Sequence, residues 1–464
     1  MPRKHDGRVN DFVDSKGRIV IQQKILVAAL TFLAIGQTSA VNADEIGELR
    51  ELIQKQNEQL QQLQRRLDEL EAKQNQQGRE VEKKVAEEVA DVVKDQQTAA
   101  LPDSLKWAEK IKISGDFRYR HGHSDAEVNV SGRDKWLNGA DRDRIRARLM
   151  LEAMLNKDLD VGVRIASGSS RTPISTNQDL EDAFSSKELW LDLAYFDWHP
   201  SANEGLNVLG GKMKNPFYRV VRNELVWDSD LNPEGIAVKH VRDISDMDQL
   251  FFNGGGFWVD ESSVGVDTSD TSLWGAQTYF KRTIGNPDYV LAGAGFYDYG
   301  NIEGQPALST TWTSPTTSFF FSNTSSGSVY VSDYDIFEAF GEYGFKYGPM
   351  PLALFGSWVR NFAASDQEDM AWLLGGRLNK AKDPGSWELT YDYRDIQADA
   401  VIGGFIESDF VASQTDSRGH RFVFKYQILK ALQTAVTYYH AEDASSSTGN
   451  LDYRRLFADL VFNF

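Results

Sequence analysis

Residues Ile111 to Arg120 read IKISGDFRYR, and the fold is decided by that stretch. Ile113, Gly115, Phe117 and Tyr119 share one face, while Lys112, Ser114, Asp116, Arg118 and Arg120 share the other. Successive side chains of a strand point to opposite sides, so the alternation describes a strand with one apolar and one charged face. The same dyad returns in Ile145, Ala147, Leu149 and Leu151 against Arg144, Arg146, Arg148 and Glu152. It returns again in Trp387, Leu389, Tyr391 and Tyr393 against Glu388, Thr390, Asp392 and Arg394, and in Phe422, Phe424 and Tyr426 against Arg421 and Lys425.

Working outward, sixteen segments carry the pattern: 111–120, 144–155, 158–167, 187–198, 206–213, 233–242, 248–259, 272–282, 288–298, 334–347, 351–361, 370–381, 386–396, 418–428, 431–441 and 453–464. Their connections alternate long and short. Residues 121–143, 168–186, 214–232, 260–271, 299–333, 362–369, 397–417 and 442–452 are the long ones. Single Lys157 and then 199–205, 243–247, 283–287, 348–350, 382–385 and 429–430 are the short ones. Long loops at one rim and tight turns at the other are how an outer-membrane barrel is built. A soluble all-β chain has no reason to keep its connections in that phase. The expected fold is all-β: a 16-stranded antiparallel transmembrane β-barrel, or eighteen strands if Ser318–Ser332 or Ala400–Ala412 adds a hairpin. The last segment, YRRLFADLVFNF, ends on Phe464, with Phe462, Leu460, Ala458 and Leu456 on the same face. Trp190, Trp198, Trp258, Trp274, Trp358, Trp372 and Trp387 sit near strand ends, where interfacial girdles need them.

Composition agrees once the two faces are separated. The 464 residues carry a net charge of -18 and 12% aromatics, and mean hydropathy is -0.45. The acidity argues against nucleic acid as a partner, because phosphate binding needs a basic surface. The aromatic content argues against disorder. The polar mean excludes a bundle of apolar helices but not a barrel, whose lumenal charge offsets its outer face. With no cysteine there is no disulfide and no thiolate chemistry.

The N-terminal region reads differently. Ile25–Gly36 (ILVAALTFLAIG) has the length of a signal-peptide core, with Lys24, Arg18 and Lys16 before it and the small-x-small triplet Val41-Asn42-Ala43 after it. Residues 1–43 are thus expected to be a signal peptide cleaved after Ala43, with Ala40 as second choice. Ile46, Leu49, Ile53, Leu60, Leu63, Leu67 and Leu70, with Gln56 filling a gap, keep a 3,4 spacing, the seam of a coiled coil over 44–95. So short a helix is marginal alone, which implies self-association. Residues 96–110 read as a linker and 111–464 as the barrel.

The signal peptide, the short coiled coil, KISGDFRYR (112–120), GGKMKNPF (210–217) and WDSDLNPEG (227–235) together resemble the putative porins of Gram-negative bacteria, related to the phosphate-selective type. The resemblance spans the whole mature chain. It implies a homotrimeric, water-filled outer-membrane channel for small hydrophilic solutes or ions, with its stalk in the periplasm and within reach of peptidoglycan. An envelope tether through the stalk is the alternative function.

If apolar faces meet outer-membrane lipid, then Arg118, Arg120, Arg144, Arg146, Arg148 and Arg164 point into the lumen, since each would cost about 2–4 kcal/mol at the lipid midplane. Glu338, Glu342, Glu388 and Asp392 offer acids on the opposite wall. Facing rows would orient dipolar solutes, or fill the lumen as a salt-bridge lattice. The third long connection, 214–232, is the one that folds inward as the constriction in sixteen-strand porins. Arg219, Arg222 and Lys212 are expected to meet anions there, Asp228 and Asp230 cations, with Lys214 also in the constriction. Gly210-Gly211 would let the chain pass close to the wall. Asp228, Asp230, Asn232 and Glu234 have the alternation of calcium ligands, although Pro233 stands where an EF-hand loop needs glycine. His121 and His123, expected in the first loop, read as solvated rather than metal-binding. The glycines at 254–256, 293 and 295 are expected to relieve crowding inside the barrel. No catalytic constellation and no cofactor motif stand out, so an enzyme is not expected.

Overall fold

A computed structural model describes residues 103–464 apart from 131–132, 137–139, 169–171, 182, 262–269, 309–318 and 445–450, together with six positions between 54 and 66. Those six, Gln54, Lys55, Glu58, Gln62, Arg65 and Arg66, are helical and exposed. The signal peptide and the apolar seam of the coiled coil lie outside the described residues. Residues 102–464 form a compact unit of their own. A 3-10 helix, Asp103–Lys110, occupies the end of the expected linker.

Sixteen strands close into an antiparallel barrel. They are Ile111–Val130 (β1), Ala140–Asn156 (β2), Leu159–Ser167 (β3), Leu189–Trp198 (β4), Leu206–Lys212 (β5), Glu234–Asp243 (β6), Asp248–Asp260 (β7) and Thr271–Thr283 (β8). Tyr289–Gly300 (β9), Tyr334–Tyr347 (β10), Met350–Asn361 (β11), Met370–Asn379 (β12), Trp387–Ile396 (β13), Ser417–Leu429 (β14), Leu432–Asp443 (β15) and Leu451–Asn463 (β16) complete it. Each coincides with one segment read from the sequence, and short turns alternate with long loops throughout. β1 closes the ring on β16, from Asp116 opposite Asn463 to Ala126 opposite Tyr453. Two further hydrogen bonds seal the seam: Gly115 N–H donates to the Phe464 carbonyl at 2.9 Å, and Phe464 N–H to Gly115 at 3.1 Å.

Eighteen spanning strands are not formed. Arg133–Trp136 and Gln178–Asp179 only extend the sheet at its long-loop rim. Within 318–332, Ser325–Ser326 pairs with Val329–Tyr330 apart from the barrel, and 400–412 runs as irregular, buried chain. The first loop is also shorter than expected, because β1 runs on to Val130. His121 and His123 therefore lie on a strand, on the outer face, beside Asp143 (3.0 Å) and Asp141 (2.7 Å). The apolar alternation stops at Tyr119 while the ladder continues.

The outer face keeps its apolar residues accessible: Leu149, Ile165, Phe424 and Leu374 are 43%, 44%, 44% and 60% exposed. In a barrel this is the lipid-facing belt. Trp190, Trp258, Trp274, Trp358 and Trp372 are exposed toward the long-loop ends of their strands, and Trp198 toward the short-turn end. The buried apolar cluster lies inside, where β6 to β13, β15 and β16 meet inserted loops.

Candidate functional site

Among the described residues, two long connections fold into the barrel. The first, 213–233, leaves β5 and returns at β6. Its apolar positions Met213, Phe217, Val220, Leu225, Val226 and Trp227 are all buried, so hydrophobic burial draws the segment inward instead of letting it splay into water. The Phe217 ring lies 4.9 Å from Tyr297, 6.1 Å from Phe257 and 6.0 Å from Trp227 between centroids. It sits where a side chain at Gly275 would be, so that wall position has to be glycine. Gly211 has φ of 114°, and a Cβ there would strike the Ala194 carbonyl. Gly210, on the opposite face, abuts the outward Phe196 ring.

The second insert is 397–416, between β13 and β14. Ala400, Val401, Ile402, Ile406, Phe410 and Val411 are buried. The inserts are tied together: Asp228 N–H donates to the Phe405 carbonyl at 2.7 Å, Ser408 N–H to the Asp228 carboxylate at 2.9 Å, and Glu407 N–H to the Glu224 carbonyl at 3.2 Å. Val221 and Ala412, at the centres of two short turns, adopt φ of 50° and 55°. Non-glycine residues rarely take that conformation, and here the surrounding packing holds them in it. A third segment braces the second insert, with Asn323 Nδ2 donating to the carbonyls of Ala398 (2.7 Å) and Val401 (2.8 Å).

The six arginines of the ladder all lie on the inner face, as the alternation requires. Arg146 and Arg148 donate to Asp116 at 2.9 and 2.7 Å, and Arg148 also reaches Asp230 of the first insert at 3.2 Å. Arg164 is paired with Asp192. Arg120 bonds Asp459 at 2.6 Å and Asp409 of the second insert at 2.5 Å. Arg118 donates to Asn177 at 2.6 Å, and Arg144 stays 3.9 Å from Asp409.

The acids on the other wall are also engaged. Asp392 accepts from Arg394 and Arg421, both at 2.7 Å, and Glu407 of the second insert accepts from the same two at 2.6 and 3.1 Å. Glu388 meets Lys425 at 3.0 Å, Glu342 accepts from the Tyr218 hydroxyl at 2.9 Å, and Glu338 from Ser357 at 2.7 Å. The two rows do not face each other across open space; insert carboxylates stand between them and bind several of the arginines. Ionised donors and acceptors make the stronger hydrogen bonds, and they are strongest away from water.

Among the constriction residues read from sequence, Lys212 is held by Glu234 at 2.7 Å. Arg219 donates to the Trp227 carbonyl at 2.7 Å and lies 3.9 Å from Glu224. Lys214 and Arg222 are exposed and have no acidic partner among the described residues. Asp228 and Asp230 bind Ser408, Arg148 and Thr176, while Asn232 donates to Asp192. Their oxygens, with Glu234 on Lys212, do not converge, and no acid or histidine cluster suited to a metal ion occurs among the described residues. Burial and the neighbouring Glu407 push the Glu224 carboxyl up to about 7, and burial with Glu224 also raises Asp228. Burial alone would raise Asp409, but Arg120, Arg144 and Arg455 pull it well below the usual carboxylate range.

The departure of the first insert also notches the wall. Leu189 to Leu193 of β4 pair with β3 alone, because β5 stops at Lys212 and β6 resumes at Glu234. A cavity of about 810 Å³ lies there, between Trp190, Leu191 and Trp258 on its outer side and Phe217, Trp227 and Leu231 within. Of the glycines at 254–256, Gly255 packs beside the inward Phe257, whereas Gly256 abuts the outward Trp274. Gly293 and Gly295 make room for Phe340 and Tyr297 inside.

The insert acids Glu407 and Asp409 escaped the sequence reading because 397–417 has no periodicity. Its available signal was the apolar content of AVIGGFIESDFVA (400–412), too hydrophobic for a solvated loop.

A family profile described as a putative porin matches residues 124–333 and 332–464. No match is found among curated proteins. Among solved structures, OprB of Pseudomonas putida shares 10% identity at a TM-score of 0.51, covering 77% of this chain and 95% of that one. The outer membrane channel DcaP of Acinetobacter baumannii shares 12% at 0.44, covering 76% and 97%. A triple mutant of the Rhodopseudomonas blastica porin shares 12% at 0.43, covering 76% and 100%. The likeness to OprB bears on the fold alone.

Proposed function

The chain belongs to the putative porin family, and on that premise we propose that it is a passive channel for small hydrophilic solutes with a preference for anions. Family and barrel together imply the outer membrane of a Gram-negative bacterium and a channel rather than an enzyme. The observation that carries the reading is the segregation of charge. Six arginines line the inner face of β1 to β3, while apolar side chains cover the outside. Within the lumen Lys214 and Arg222 remain exposed with no described acidic partner, which favours anions at the first insert. Arg219 and Lys212 support the insert and contribute less to solute contact, being bonded within the protein. Asp228 and Asp230 brace the inserts to each other and to the wall. The assembly we infer is a homotrimer joined through the heptad seam of 44–95, with peptidoglycan in reach of that stalk.

The test is solute flux into liposomes carrying the purified protein. They should swell in an isotonic monosaccharide, and faster with an organic anion than with a cation of equal size. Lys214→Ala with Arg222→Ala should reduce that bias. Equal rates for the two ions in the wild type would remove the anion preference, and no swelling in any solute would remove the channel.

A further inference from the structure

One place in the lumen has more guanidinium than carboxylate. Arg120, Arg144 and Arg455 all lie over the ring of Phe457, at 4.3, 5.2 and 4.7 Å from its centroid. They share one carboxylate of the second insert: Asp409 is 2.5 Å from Arg120 and 3.9 Å from both Arg144 and Arg455. Asp459 serves only Arg120 within this group. Arg118, on the same face of β1 as Arg120, has the Asn177 amide and, among the described residues, no carboxylate within bonding distance. Among the described residues, four guanidiniums thus face two carboxylates. The buried Nε of Arg118, Nε and Nη2 of Arg144 and Nε of Arg455 have no hydrogen-bond acceptor among the described residues. Arg144 itself is only 8% exposed. Buried donors without partners are costly, and cationic ones more than neutral ones, so the site is poised for an anion.

We propose that this cluster is a binding subsite for a small oxyanion, a carboxylate or phosphate carried by the solute, with Asp409 as its tethered competitor. The proposal rests on the anion-preferring channel above and adds a binding subsite at the second insert to the exposed cations of the first. A planar or tetrahedral oxyanion accepts several N–H donors at once, which chloride does less well, and arginine forks match that geometry. The excess of two positive charges admits a divalent ion. Because Asp409 belongs to the second insert, an arriving anion competes for the arginines that pin that insert in place.

The experiment is single-channel recording with the full chain in planar bilayers, at fixed KCl, with added potassium phosphate, acetate or succinate. The KCl current should be perturbed at low concentration of at least one of these anions, with an effect that saturates, while KCl alone gives a linear rise. Arg144→Gln should weaken the half-saturating concentration about tenfold, the loss of one charge-assisted hydrogen bond. Asp409→Asn should strengthen it by a similar factor. Heat-modifiable migration in detergent gels confirms that each variant is folded. Saturation with phosphate alone, or with carboxylates alone, assigns the class of oxyanion. Linear behaviour with every anion overturns the subsite, as does saturation that neither substitution moves. Absence of any KCl current overturns the channel reading instead.

Discussion

At the scale of single residues, the charged inner face was readable and the partners of its charges were not. Arg118, Arg120, Arg144, Arg146, Arg148 and Arg164 announce themselves by period two, since the opposite phase would put six cations in lipid. Asp409 and Glu407 carry no such signature, because their position depends on a loop turning inward. Glu224 supplies a pH test. Its carboxyl, raised to about 7, is neutral at pH 6 and ionised at pH 8. Falling pH therefore removes negative charge from the lumen, and the reversal potential in a KCl gradient should move toward chloride between pH 8 and 6. Glu224→Gln should abolish that step; an unchanged pH dependence would assign it to another group. The linked stability has the same sign. An ordinary glutamate in the unfolded chain ionises near pH 4.5, so this group's contribution declines as pH rises from there to about 7. Phe217→Ala should cost about 3–5 kcal/mol of local packing, since a buried aromatic ring leaves a cavity. The loosened insert should appear as noisier and larger single-channel current.

At the scale of elements, all sixteen strands and the phase of their connections were legible, because a membrane barrel enforces alternation along every strand. The extension of β1 beyond Tyr119 was not, since a strand that rises past the lipid has no need of an apolar outer face. Loop 214–232 was expected inside by resemblance, whereas 397–416 was offered only as a loop or an extra hairpin. Buried irregular chain has no period by which to recognise it. The β1–β16 seam makes its own prediction. A Cβ at Gly115 would meet the Phe464 ring and the Arg148 carbonyl. Gly115→Val should destabilise the barrel by about 1–3 kcal/mol through overpacking. It should lower the temperature at which the folded band disappears in heated gel samples. A variant as heat-resistant as the parent would show that the terminal ring simply moves aside.

At the scale of the whole molecule, an acidic chain of negative mean hydropathy carries a lipid-facing surface because its charges are turned inward and into its loops. The two inserts and their bracing segment give the lumen an apolar core as well as a polar one, so the passage is narrowed by packing and lined by charge. Residues 102–464 form a separate compact unit. Deleting 45–95 should therefore leave a conducting barrel while dissolving the proposed trimer, a result that cross-linking and conductance would read on one sample. The most direct test of the central claim is the current through a planar bilayer after addition of purified, heat-modifiable protein in KCl. The account predicts discrete, ohmic steps that reverse toward the chloride potential; folded protein that inserts and never conducts would contradict it.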